Sequence, residues 1–198
     1  MKLEEARNIA IDIWKLLKPH CDIIKIAGSI RREKPEVKDV EIVSLPKTAD
    51  VKDLFGNVIG KQRISEWRQA VESLGSPVKG SSSGKYMQIQ LKSDDIVLDL
   101  FMPDDFDYWR QFAIRTGSAD WAARYIAGGW KAIGWCGSNA GLRLRSECVS
   151  KTSETVGKKS WKCVVAKDKQ TLPPNWESEE QFFEWIKLKW VEPKFRNT

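Results

Sequence analysis

The sequence predicts an α/β protein of the α+β kind, with a mixed sheet in an N-terminal unit at about residues 1–104 and a smaller α+β unit over 105–198. Two observations carry this reading. Strand-like segments of period two and helix-like segments of period 3.6 follow one another irregularly, so no repeating βαβ pattern and no purely parallel sheet is expected. Near residue 105 the composition also shifts toward Trp, Ala and Arg. With 198 residues, 41% apolar content and 10 tryptophans, the chain can bury a core without staples.

The elements follow in order. Ile9, Ile13, Leu16 and Leu17 recur at helical spacing, predicting an amphipathic helix that ends before Pro19. Residues 22–27 (DIIKIA) read as a short strand stopped by Gly28-Ser29, and 37–45 as a second strand stopped by Pro46. Residues 61–74 read as a helix, with Ile64, Trp67, Val71 and Leu74 on one face and Gly75-Ser76-Pro77 as its terminating turn. After a polar, flexible loop at 79–85, residues 86–91 and 96–101 form a hairpin across 92–95, closed by Pro103. Residues 106–133 hold two helices broken at Thr116-Gly117-Ser118, with Ser118 as the second N-cap and Asp120 in its first turn. Strands at 142–149 and 161–165 flank a polar loop, and Ser178 with Gln181 opens a last helix over 181–188.

Charge and cysteine usage narrow the function classes. The net charge of +6 favours a polyanionic partner, although the 27 acidic residues leave room for a basic protein with none. Residues 1–18 mix charged and apolar side chains, unlike a signal peptide, and no run approaches the roughly 20 apolar residues that span a bilayer. The expectation is a soluble cytoplasmic protein with no membrane partner. Cys21, Cys136, Cys148 and Cys163 form no CxxC pair, and His20 is the only histidine, so the cysteines read as ordinary reduced thiols.

Three segments carry chemistry. Gly28-Ser29-Ile30-Arg31-Arg32 follows a strand directly. Its small residues let a triphosphate approach the backbone, N–H groups and a hydroxyl can bind its oxygens, and arginine adds a charged fork; a plain basic turn is the alternative. Asp39-Val40-Glu41 lies in a strand, where residues two apart share a face, so its two carboxylates project side by side. They repel unless a cation sits between them, and a hard divalent ion is the natural one; a solvated polar face is the alternative. Asp99 stands in an apolar strand (IVLDLF), where a carboxylate requires either an arginine or a metal.

Taken together and in this order, these residues resemble family X (polymerase-beta-like) DNA polymerases of the nucleotidyltransferase superfamily. GSIRREKPEVKDVEIV is similar to the family's Gly-Ser-x-Arg-Arg followed by an acidic pair in the next strand. LDLF is similar to the strand carrying the third acid, and Thr116-Gly117-Ser118 to the element at the nucleotide's sugar and base. ESEEQFFEWIKLKWVEPKFR resembles the closing segment, a helix followed by an aromatic-rich strand and Glu-Pro-Lys. The resemblance covers nearly the whole chain.

It implies a nucleotidyltransferase palm with Asp39, Glu41 and Asp99 as catalytic metal ligands. Two Mg²⁺ ions are expected, with Mn²⁺ an alternative of the same oxygen preference. Asp39 and Glu41 would bind both ions, and Asp99 the catalytic one while accepting the hydroxyl proton. Gly28, Ser29 and Arg32 would take the nucleotide's phosphates, and Thr116, Gly117 and Ser118 its sugar and base. The expected partners are a dNTP and a primer-template or gapped DNA, bound by a monomer. Lys79, Lys85, Lys151, Lys158 and Lys159, placed in loops, are candidate backbone contacts.

The chain departs from the family pattern in four ways. Glu41 replaces the usual aspartate. Ile114-Arg115 replaces two aromatics that help exclude a ribose 2′-hydroxyl, and Trp121-Ala122 replaces Phe-Asn, with Trp121 read as core. Only 27 residues precede Gly28, without lyase or helix-hairpin-helix modules, so the chain looks like the compact polymerases of some viruses and phages. Two other readings stay open: template-independent, RNA or small-molecule nucleotidyl transfer, and a non-catalytic nucleic-acid-binding module.

Overall fold

The computed structural model describes residues 1–92, 95–138, 141–152 and 159–197. Helix α1 (Leu3–Leu17) buries Ala6, Ala10, Ile13 and Leu17 on one stripe and carries Glu4 and Glu5 at its positive end. The α-helix ends before Pro19, which sits in a 3₁₀ turn at Lys18–His20. Five strands form the larger sheet: β1 (Cys21–Ile26), β2 (Asp39–Pro46), β5 (Gly75–Gly80), β6 (Tyr86–Leu91) and β7 (Val97–Phe101). Their order is β1-β2-β7-β6-β5, with β2 and β7 parallel and the other pairs antiparallel. The expected mixed sheet and the 86–101 hairpin are both present; residues 93 and 94 of its turn lie outside the described residues.

Alternation splits the sheet into two faces. Val40, Ile42, Leu98, Leu100, Met87 and Ile89 face α1 and α3 (Ser65–Leu74), together with the fully buried Trp67. Burial of each large side chain there contributes about 1.5–3 kcal/mol. The opposite face carries Asp39, Glu41 and Val43 on β2 and Asp99 and Phe101 on β7. One end of it is covered by α4 (Tyr108–Thr116), where Tyr108 and Phe112 pack on Val43 and Phe101. The acids lie beyond that cover.

A second, four-stranded mixed sheet, β10-β11-β8-β9, is formed by β8 (Trp135–Ser138), β9 (Gly141–Leu144), β10 (Cys148–Thr152) and β11 (Lys159–Cys163). A helical run, α5 (Ala119–Trp121), a π segment (Ala122–Ile126) and α6 (Ala127–Ala132), packs with α7 (Glu179–Trp185) around Trp121, Trp130, Trp135, Trp176, Phe182 and Phe183. Trp121 is core, as read from the sequence. Ser118 accepts from Trp121 N at 3.3 Å and Ser178 from Gln181 N at 3.2 Å, the two expected N-caps.

Several boundaries differ from expectation. A hairpin of β3 (Thr48–Lys52) and β4 (Val58–Arg63) precedes α3, so the helix expected from residue 61 starts at Ser65. Arg63 pairs with Thr48 across this hairpin and its guanidinium ties the base to Ser82 O and Gly84 O. Residues 75–77, expected to be a turn, begin β5; an edge strand tolerates Pro77. The strand expected at 142–149 is interrupted by a 3₁₀ turn at Arg145–Glu147, and α7 ends at Trp185 rather than 188. Among the described residues no strand follows α7, and a 3₁₀ turn at Pro193–Phe195 lies near the end. Lys79, Lys151 and Lys159 stand in strands rather than loops, and Lys158 lies outside the described residues. Among the described residues no helix is long and apolar enough to cross a membrane.

Candidate active site

The β2–β7 register builds the acidic centre. Parallel pairing sets Glu41 directly beside Asp99, and Asp39 beside Val97, so all three carboxylates share one sheet face within two residues along the strands. On the far side of β7, antiparallel pairing sets Gln88 opposite Asp99 and Tyr86 opposite Phe101. Tyr86 Oη and Gln88 Nε2 both donate to Asp99 Oδ1, at 2.8 and 2.9 Å. As they stand, no three His, Cys, Asp or Glu side chains among the described residues converge into a group that holds a metal ion. The acids share a face rather than a point.

Crowding has an electrostatic consequence. Burial and then Asp39 push the Glu41 carboxyl up to about 7, against the pull of Arg115 and Arg32. Burial and Asp99 raise Asp39 as well, with Arg32 opposing. Arg115, whose guanidinium lies 4.0 Å over the Phe101 ring, has a buried Nε without a hydrogen-bond partner. Burial lowers its pKa while Glu41 and Asp99 work the other way.

Gly28 closes the centre from β1. Its φ of +63° is a left-handed conformation, and a Cβ there would stand 2.0 Å from Glu41 Oε2. Ser29 follows with its Oγ buried and without a partner. A cavity of about 660 Å³ joins Ser29, Arg32, Asp39 and Glu41 at its polar end to Gly117, Ser118 and a floor of Ala119, Ala122, Ala123, Ala127 and Trp130. A second cavity, about 530 Å³, meets Glu41 and Arg115 from the other side and is lined by Tyr86, Asp99, Lys79 and Lys85.

The remaining expected nucleotide residues divide. Arg32 reaches the first cavity while its Nη1 donates to Thr116 O at 2.8 Å and its Nε to Asn197 Oδ1 at 3.1 Å. Thr116 is fully buried and its hydroxyl accepts from Arg31 at 2.6 Å, so its side chain faces the interior. Gly117 is required by packing: a Cβ would come within 2.7 Å of the Trp121 ring.

Sequence reasoning missed the network behind Arg32. Arg31 forks onto Glu179 at 2.9 and 2.8 Å, Arg196 forks onto the same carboxylate at 2.6 and 3.0 Å, and Trp190 Nε1 adds a bond at 3.0 Å. Burial works to raise the Glu179 pKa, but the two guanidinium forks overcome it and hold the group at about 2. The alternation of Tyr86, Gln88 and Gln90 along one strand was a visible signal for donors beside Asp99; the register that assigns them was not.

Comparison of the chain with protein-family models and with curated proteins gives no match.

Proposed function

We propose that this chain is a divalent-metal-dependent nucleotidyltransferase that adds a nucleotide from a dNTP to the 3′-hydroxyl of a DNA primer, as the family X DNA polymerases it resembles do. The observation that carries this reading is the register that sets Glu41 beside Asp99, with Asp39 on the same face, against a cavity that also reaches Ser29 and Arg32. The donor set is all oxygen, the hard type that Mg²⁺ and Mn²⁺ take. Burial first, and then the neighbouring carboxylates, raise both Glu41 and Asp39, a state that a bound cation relieves. The acids share a face without converging, so in this reading a bound ion draws Asp39 and Glu41 together as shared ligands, with Asp99 completing the site.

When bound, the ions would supply charge neutralisation at the pyrophosphate and acidify the attacking hydroxyl. The other work falls to the protein. Ser29 Oγ, buried and unpartnered, is disposed to donate to a phosphate oxygen. Arg32 offers its fork in the same cavity, where a phosphate competes with Asn197 for Nε. Asp99, facing the second cavity beside Lys79 and Lys85, is the acid reached by an acceptor strand.

The test is a labelled one-nucleotide-gapped duplex with Mg²⁺, offered each dNTP and each NTP separately, with Asp99→Ala as control. Extension by the complementary dNTP, lost in the variant, is the expected outcome. No addition with any nucleotide in Mg²⁺ or Mn²⁺ would sink the proposal and return the chain to the class of nucleic-acid-binding modules. A second reading, untemplated or ribonucleotide addition, is favoured by the alanine floor of the first cavity and by Ile114-Arg115 on its wall. The same assay separates the two.

A further inference from the structure

Asp99 differs from the other two acids in being held by side chains of a neighbouring strand. Gln88, its direct cross-strand partner on β6, donates to Oδ1, and Tyr86, one step along the same face, donates to the same oxygen. Two donors meeting on one oxygen define both side-chain torsions of an aspartate and leave the second oxygen for another partner. The tyrosine is itself fixed: its ring stacks on its cross-strand partner Phe101 at 5.1 Å, and the Arg115 guanidinium lies 4.0 Å from the Phe101 ring centroid. Tyr86 and Asp99 line the second cavity, whereas Ser29 and Arg32 line the first.

We propose that Tyr86 and Gln88 are positioning residues that anchor Asp99 through Oδ1 and reserve Oδ2 for a divalent ion and for the 3′-hydroxyl of an acceptor strand entering the second cavity. This rests on the nucleotidyltransferase reading. Outer partners that orient a metal-binding carboxylate govern ion affinity by removing alternative rotamers, and their loss costs about 10- to 100-fold in affinity or rate. Tyr86 and Gln88 therefore act on the ion and acceptor side of the reaction, not on the triphosphate side.

The experiment is a calorimetric Mn²⁺ titration of wild type, Tyr86→Phe, Gln88→Met, the double variant and Asp99→Ala, alongside gap-filling rates across a Mn²⁺ series. Each single variant is expected to weaken the Asp99-dependent ion by about tenfold and the double variant further, with rate recovered at high Mn²⁺ and the KM for the nucleotide unchanged. Two independent variants keep the test open should one fail to fold. Ion binding equal to wild type in a folded variant overturns the positioning role while leaving the metal reading intact. Identical Mn²⁺ binding by wild type and Asp99→Ala overturns the metal reading itself, and the positioning role with it. A lower rate that high Mn²⁺ does not recover, at unchanged ion affinity, also counts against it.

Discussion

Glu41 links burial to pH in a way that can be measured without any substrate. Its carboxyl is held at about 7, above the usual 4.5, so the folded protein binds a proton there that the unfolded chain releases. That contribution to stability is fully present below about pH 4.5 and is lost as pH rises through about 7, an effect on the order of 2 kcal/mol after allowance for solvent screening. Urea denaturation of the metal-free protein should therefore show stability falling across this window, and Glu41→Gln should abolish the fall. Added Mg²⁺ should reverse it in wild type, because the ion replaces the proton as the partner of the carboxylate. The neighbouring Gly28 explains why the residue is so confined: its missing side chain is the space that the Glu41 carboxylate occupies.

At the scale of elements, Glu179 at the start of α7 fastens the short helix α2 (Gly28–Arg31) to the C-terminal chain through Arg31 and Arg196. Glu179→Ala leaves two guanidinium groups facing a buried void, and a loss of roughly 3–5 kcal/mol is expected by thermal or chemical denaturation. The sign with pH is opposite to that of Glu41. A carboxyl held at about 2 contributes stability above about pH 4.5 and loses it as pH falls toward 2, so wild type and Glu179→Gln should converge in acid. This network was not legible in the sequence because its members are 148 and 17 residues apart and each alone is an ordinary surface charge type. The acids were legible because period two and apolar flanks confine them to one face. The β3–β4 hairpin was missed for the converse reason: Thr48–Lys52 and Val58–Arg63 are largely exposed on both faces, so no burial pattern marks them. Only Asp53 and Gly56-Asn57 at the tip, where Asp53 Oδ1 accepts from Phe55 N and Asn57 N, gave a local turn signal. Gly75-Ser76-Pro77 read as a breaker, since nothing local shows that β5 lies at a sheet edge.

For the molecule as a whole, the net charge of +6 and the lysines beside the second cavity predict duplex DNA binding that weakens by about 10- to 100-fold between about 50 and 200 mM salt. Fluorescence anisotropy with labelled gapped DNA measures it; a salt-independent affinity would exclude backbone contacts as the main term. The two halves of the sequence also differ in what an optical experiment sees. Of the 10 tryptophans only Trp14 and Trp67 lie before residue 105, and the aromatic core around α7 holds most of the remainder. Intrinsic emission is thus weighted toward the C-terminal half, with Trp14 and Trp67 reporting on the five-stranded sheet, while far-ultraviolet dichroism weighs both. Trp130 alone among the ten stands on the wall of the first cavity. A nucleobase settling on the alanine floor should quench that indole, whereas an ion joining the acids should leave the spectrum unchanged. The molecule thus separates the two binding events by emission intensity, without a label.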